Sequence, residues 1–171
     1  MVCIMRLQSE KYVDKYIIEA LFSLMKKKDY NNISITEICE KAGTGRMSFY
    51  RNFNSKEDII RQWITNTTNT FLKESNINYK NDSTKDYFIK LFTHLEKYKT
   101  EAMLIYKANL FNLLKNEFDD KLINLHQEEY SNYKSYFLAG GIFNVYYFWL
   151  INGCIETPHQ VAEKLVDLMS K

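Results

Sequence analysis

The chain is poor in the residues that punctuate compact β structure. Its 171 residues hold one proline and five glycines, too few turn formers for the many tight reversals of a sandwich or barrel. The three cysteines, Cys3, Cys39 and Cys154, lack metal-ligand or disulfide-framework spacing, which reads as reduced thiols in a cytoplasmic protein. His94, His126 and His159 stand far apart. No H-x-x-x-H pair, nucleophile elbow or phosphate-cradling glycine loop accompanies them, and carboxylates two places away do not share their helix face. Neither an enzyme, a metal site nor a cofactor is expected. The opening Met-Val-Cys-Ile-Met-Arg is too short and interrupted for a signal peptide. Charge of one sign is scarce too, with a net charge of +2. Residues 1–57 carry ten Lys/Arg against seven Asp/Glu, and residues 58–171 carry thirteen against fourteen. That bias suits local phosphate contacts, not a heavily cationic surface.

What is present is helical periodicity, and the expected fold class is all-α. Residues 9 to 28 place Val13, Ile17, Leu21, Leu24 and Met25 on one stripe and finish on Lys26-Lys27-Lys28, at the negative end of the helix dipole. After a loop at 29–32, Ser34 and Glu37 form the S-x-x-E signature of a helix start. Ile35, Ile38 and Ala42 share a face, and Gly43 ends that helix. Thr44-Gly45 make a turn, either residue able to cap the next helix. A short helix then reads Arg-Met-Ser-Phe-Tyr-Arg-Asn-Phe from Arg46. Phe49 and Phe53 anchor it inward, while Arg46, Met47, Ser48, Tyr50, Arg51 and Asn52 are left outward. Ser55, Glu57 and Asp58 open a helix running from about Lys56 to Lys73, whose first backbone N–H groups and Lys56 ammonium suit a phosphate. Two short helices around a glycine turn, the second small, basic and aromatic, are the layout of a helix-turn-helix, which puts its second helix in a DNA major groove.

Ile35 to Ile38, Ala42-Gly43, Phe49-Tyr50-Arg51-Asn52-Phe53 and Ser55-Lys56-Glu57-Asp58-Ile59-Ile60 resemble the DNA-binding domain of the TetR family of bacterial transcriptional regulators. The resemblance covers about the first 60 residues. It implies a reading domain over 1–57 with recognition helix 45–52, and a helical ligand-binding and dimerisation domain over 58–171. Members often carry Val-Ser where this chain has Thr44-Gly45. Double-stranded DNA is the expected partner. Arg46 is expected on a base edge, guanine above all, with Met47 and Ser48 on a thymine methyl or a backbone oxygen. Tyr50, Arg51 and Lys56 are expected on phosphates, with Thr36 and Thr44 at the edge of the surface.

Beyond residue 73 the sequence resolves less. Asn76 to Thr84 reads as a linker, followed by helices near 84–98, 101–115 and 117–130. Ser135 to Ile155 holds no charged residue over 21 positions. Length permits a membrane span, but Asn144, Asn152, the Gly140-Gly141 pair and the missing basic flank favour a helix buried between its own core and a partner. Thr157-Pro158 start a last helix. The expected homodimer interface comprises Gly140, Gly141, Phe143, Asn144, Tyr147, Val161, Leu165 and Leu168. A pocket for a small-molecule effector is expected among Trp63, Phe88, Phe92, Tyr106, Asn109 and Phe137, although aromatics at helical spacing are more often core. A protein effector, or none, is the other possibility. A repressor is the leading reading, against a co-regulator that binds no DNA and a membrane-tethered regulator.

Overall fold

A computed structural model describes residues 2–75, 83–125 and 132–170. The described residues form helices and contain no strand. The first helix, α1 (Val2–Met25), begins and ends earlier than expected. Lys26, Lys27 and Lys28 already lie in the turn, their N–H groups donating to carbonyls of Phe22 and Leu24. A single 3-10 turn, Tyr30–Asn32, replaces the expected loop. Then come α2 (Ile35–Ala42), α3 (Arg46–Asn52) and α4 (Lys56–Glu74). The body follows as α5 (Thr84–Lys97), α6 (Lys99–Lys107), α7 (Phe111–Leu125), α8 (Asn132–Ile151) and α9 (Pro158–Met169).

Helix starts follow local chemistry. Ser34 with Glu37, Ser83 with Asp86 and Thr157 with Gln160 form reciprocal capping boxes, satisfying N–H groups the helix itself leaves bare. Helix ends were harder to read. The break expected between 115 and 117 falls instead at Ala108–Leu110, and α7 runs unbroken through 116. Asn109 takes a left-handed φ of 59° there, and the Leu110 N–H reaches back to Ile105 O at 3.1 Å. Asparagine tolerates that conformation, so it ends a helix as glycine does. The end of the expected 117–130 helix, with His126, and most of the expected linker at 76–84 lie outside the described residues.

Two apolar cores result. Ile17, Leu21, Ile38, Phe49, Phe53, Ile59 and Ile60 build the first, joined from the body by Ile105 and Leu113. Phe88, Phe92, Ala139, Phe143, Tyr146, Trp149, Val161 and Leu165 build the second. In it α9 lies along α5, tied at the surface by Lys85 to Glu163 at 2.8 Å, and α7 lies along α8. The turn between α8 and α9 closes through Trp149 Nε1, which donates to Glu156 O at 2.9 Å. Helix α4 serves both cores, giving Ile59, Ile60, Trp63 and Ile64 to the first and Phe71 to the second. Packing therefore does not divide at residue 57. Among the described residues no helix is long and apolar enough to cross a membrane. The uncharged stretch from 135 to 155 is amphipathic in three dimensions, with one face in the core and Phe137, Phe148 and Ile155 outside.

His94 couples α5 to α4. Its ring lies 5.1 Å from that of Phe71 and 4.9 Å from that of Tyr98. Burial, and next the neighbouring Lys97, push its pKa down to about 4, against an opposing pull from Glu74 and the Thr67 backbone. The unfolded imidazole, near its ordinary value of about 6.5, takes a proton first as pH falls. Stability should thus be full above about pH 6.5 and decline as pH drops through the folded value. Melting temperatures measured down this range should trace that decline, and His94→Phe should flatten it; an unchanged slope would count against the buried neutral ring.

Candidate nucleic-acid interface

The helix-turn-helix is built from caps inward. Ser34 Oγ accepts from the Glu37 N–H at 3.2 Å, while Glu37 Oε2 accepts from the Ser34 N–H at 2.9 Å. Lys28 of the preceding turn donates to the same carboxylate. These bonds, led by that of Lys28, draw the Glu37 pKa down to about 2. Gly43 ends α2 at φ 66°, a left-handed conformation that a side chain resists. The Thr44 N–H then reaches Cys39 O at 3.0 Å. The chain reverses and enters α3 at Gly45, whose carbonyl accepts from the N–H groups of Ser48 and Phe49. No side chain caps α3, and a Cβ built on Gly45 would meet nothing within 4 Å.

Phe49 and Phe53 sit in the core at 0% and 3% exposure, with ring centroids 5.8 Å apart. Burying two phenyl rings contributes on the order of 1.5–3 kcal/mol each and fixes which face of α3 is outward. The opposite face is open. Met47 is 82% and Tyr50 55% exposed, and Arg46 and Arg51 are exposed beside them. Tyr50 rests edge-on against Phe49 at 5.3 Å, so its ring is supported while its hydroxyl end remains outside. Arg51 Nη2 donates to Ser48 Oγ at 3.3 Å, and Asn52 Nδ2 donates to Ser48 O at 3.0 Å. Thr36 and Thr44 are half-buried.

Lys56 departs from expectation. Its ammonium donates to Tyr30 O at 2.9 Å and Ile33 O at 2.7 Å and lies 4.5 Å from the Tyr30 ring centre. Desolvation, then the nearby Lys28, lowers its pKa. Two of the ammonium's three N–H groups are therefore engaged by carbonyls of the turn between α1 and α2, leaving one at most for a phosphate. The side chain fastens the start of α4 to that turn.

The chain matches the model described as "Bacterial regulatory proteins, tetR family" over residues 17–62. A second model, "Transcriptional regulator C-terminal region", matches residues 82–171. The chain belongs to the TetR family. It is a transcriptional regulator with a helix-turn-helix DNA-binding domain, not an enzyme. Among solved structures it is similar to a TetR transcriptional regulator from Streptococcus agalactiae 2603V, at 17% identity and a TM-score of 0.69 over 97% of this chain and 98% of that one. It is also similar to the dihydroxyacetone kinase operon activator DhaS, at 20% identity and a TM-score of 0.63 over 91% of this chain and 93% of that one. No curated protein matches it.

The expected effector residues of this TetR-family chain do not converge. Phe88 and Phe92 are closed into the second core at 2% and 0% exposure. Tyr106 packs on Phe111 and Tyr147, Asn109 sits in its left-handed turn, and Phe137 is 78% exposed. Of the six, only Trp63 reaches a cavity of about 90 Å³ between α4, α5, α7 and α8, which Thr67, Thr68, His94, Tyr98 and Tyr146 also line. No spacing rule could have assembled that set, because its members come from separate helices. The expected interface residues divide as well. Phe143, Val161 and Leu165 point into the protomer's own core, and Tyr147 is half-buried against Tyr106 and Phe111. Gly141, Asn144 and Leu168 are exposed, and Gly140 is half-buried. Tyr133, Phe148 and Ile151 continue the exposed Phe137–Gly141–Asn144 stripe at helical spacing.

Lys56→Met should lower the unfolding free energy by about 1.5–3 kcal/mol, the range for hydrogen bonds to charged groups. It should leave the salt dependence of DNA binding unchanged. A slope reduced by about one counterion, with stability intact, would restore the phosphate role instead.

Proposed function

We propose that the chain acts as a homodimer in which residues 1–57 read DNA and residues 58–171 pair the subunits and take an effector. Two recognition helices, held about 34 Å apart or a multiple of it, would read a near-palindromic operator. The open face of α3 carries this reading, since exposed Met47 and Tyr50 stand beside two arginines on a helix pinned by Phe49 and Phe53. Arg46, at the first turn of α3, is assigned to a base edge and Met47 to a thymine methyl. Tyr50 and Arg51, with Thr36, Thr44 and Ser48 at the margin, are assigned to the DNA backbone. Such a protein works in the cytoplasm, where its operator lies.

The dimer reading rests on the outer stripe of α8. Tyr133, Phe137 and Phe148 are 91%, 78% and 61% exposed, and Ile151 continues the row. Gly140 and Gly141 interrupt it in mid-helix, where glycine costs roughly 0.5–1 kcal/mol relative to alanine. A Cβ on either would meet nothing within 4 Å of the protomer. Nothing inside the subunit requires glycine there, whereas a partner helix crossing closely does. Leu168 of α9 is likewise 68% exposed.

Repression with release by an effector is the regulatory direction proposed. DhaS is by name an operon activator, so the sign of regulation is a quantity for a promoter-reporter assay. Fragments selected from random DNA should share a near-palindrome. Arg46→Ala should relax preference at one position per half-site at a cost of about 1–3 kcal/mol; base preference unchanged everywhere would remove Arg46 from that role. A co-regulator that binds no DNA would yield no enriched sequence at all. Gly141→Leu should convert dimer to folded monomer in sedimentation, and a dimer that survives the leucine would place the interface elsewhere.

A further inference from the structure

We infer that residues 65–70 form a soft joint in α4 that lets each reading head tilt against the body, so that the dimer accepts half-sites at more than one separation. The joint is argued from the protomer alone; its consequence for DNA rests on the dimeric reading proposed above.

The segment is composed to be a weak helix. It reads Thr-Asn-Thr-Thr-Asn-Thr. Threonine loses side-chain freedom against the preceding turn, and asparagine competes for backbone hydrogen bonds. The Thr67 hydroxyl donates to Trp63 O at 3.0 Å and Ile64 O at 2.9 Å, that of Thr68 to Ile64 O at 2.9 Å, and that of Thr70 to Asn66 O at 2.9 Å. Three carbonyls of the helical ladder are thus shared with side chains, an arrangement that slightly destabilises a helix and lets it bend.

Packing leaves the same segment unanchored. The buried side chains of α4 run from Ile59 to Ile64 and resume at Phe71, and none of the six residues between them is buried. Open volume borders the gap on both sides. Asn66, Asn69 and Thr70 line a cleft of about 1230 Å³ between α1, α4 and the start of α6. Thr67 and Thr68 border the cavity of about 90 Å³ on the opposite side. A bend at 65–70 therefore displaces no buried side chain of the segment itself. Ile105 and Leu113 also enter the first core, from either side of the Ala108–Leu110 turn, and keep the tilt small.

A small tilt is enough. One base pair of altered separation moves a half-site by about 3.4 Å and turns it by about 35°. Shared between two subunits, each joint supplies about 17°, below the ~20° of a sharply kinked helix.

Hydrogen exchange and operator selection with the full-length protein test this together. The N–H groups of 67–70 should exchange about tenfold faster than those of 60–64 in the same helix. Asn66→Ala, Asn69→Ala and Thr70→Ala together, on the cleft side and outside both cores, should close that gap and raise the melting temperature by roughly 3–6 °C. From random DNA the wild type should enrich half-sites at two or more separations. The alanine variant should keep its affinity at the best separation within about twofold and lose about tenfold at the others, where both heads no longer engage at once. Asn69→Gly should act in the opposite direction, with faster exchange and a broader range of separations. Equal protection of 67–70 and 60–64 would overturn the joint. A wild type confined to one separation, or variants that select the same range as the wild type, would overturn its consequence for DNA. If no sequence is enriched at all, the DNA reading above fails and takes that consequence with it, while the exchange pattern still decides the joint.

Discussion

One helix bears the mechanical connection of this molecule. Helix α4 starts beneath the DNA-reading unit and ends in the body, and it buries side chains in both cores along one continuous backbone. Its start is well fixed. Ser55 accepts from the Asp58 N–H at 3.1 Å, and Lys56 reaches across to the turn after α1. Its middle is composed differently. Thr67, Thr68 and Thr70 return their hydroxyls to carbonyls one turn back. Such bonds compete with the backbone's own ladder and make a helix easier to bend. Thr67 and Thr68 line the cavity between α4, α5, α7 and α8. The segment least committed to a straight helix therefore borders that cavity.

The body also docks onto the reader directly. Ile105 of α6 is fully buried in the first core, together with Leu113 of α7. Trp63 is placed between Phe22 of α1 and Tyr98 at the start of α6, at centroid distances of 5.0 Å and 5.9 Å. A displacement in the body thus reaches α1 through packed rings as well as along α4. Close-packed interiors yield in discrete rearrangements rather than by smooth deformation, which is what the proposed release from DNA requires.

How much of this was legible in the sequence varied with the range of the interaction. The Ser34–Glu37 cap, the glycine turn and the inward phenylalanines of α3 are settled within four residues, and each was read correctly from its neighbours. Lys56 was not. Its local context, at a helix start beside a reading helix, points to a phosphate, yet Tyr30 and Ile33, more than 20 positions away, present it with two carbonyls. Phe143, Val161 and Leu165 were assigned to a partner because periodicity finds an apolar stripe without saying which body covers it. The Ala108–Leu110 break was missed for a smaller reason: asparagine entering the left-handed region is common enough to be tolerated and too common elsewhere to be diagnostic.

The sequence by itself determined that this is a helical protein with a reading head of the helix-turn-helix kind, and which side chains of α3 face outward. These are consequences of spacing, capping and the stereochemistry of a single turn. Only the tertiary structure decided which aromatics fill the core, which face of α8 remains open, and which polar atoms meet around the cavity. Those questions concern helices far apart in the chain, and a hydrogen-bond acceptor or a patch of apolar surface acquires its role only when another element arrives, or fails to arrive, to cover it.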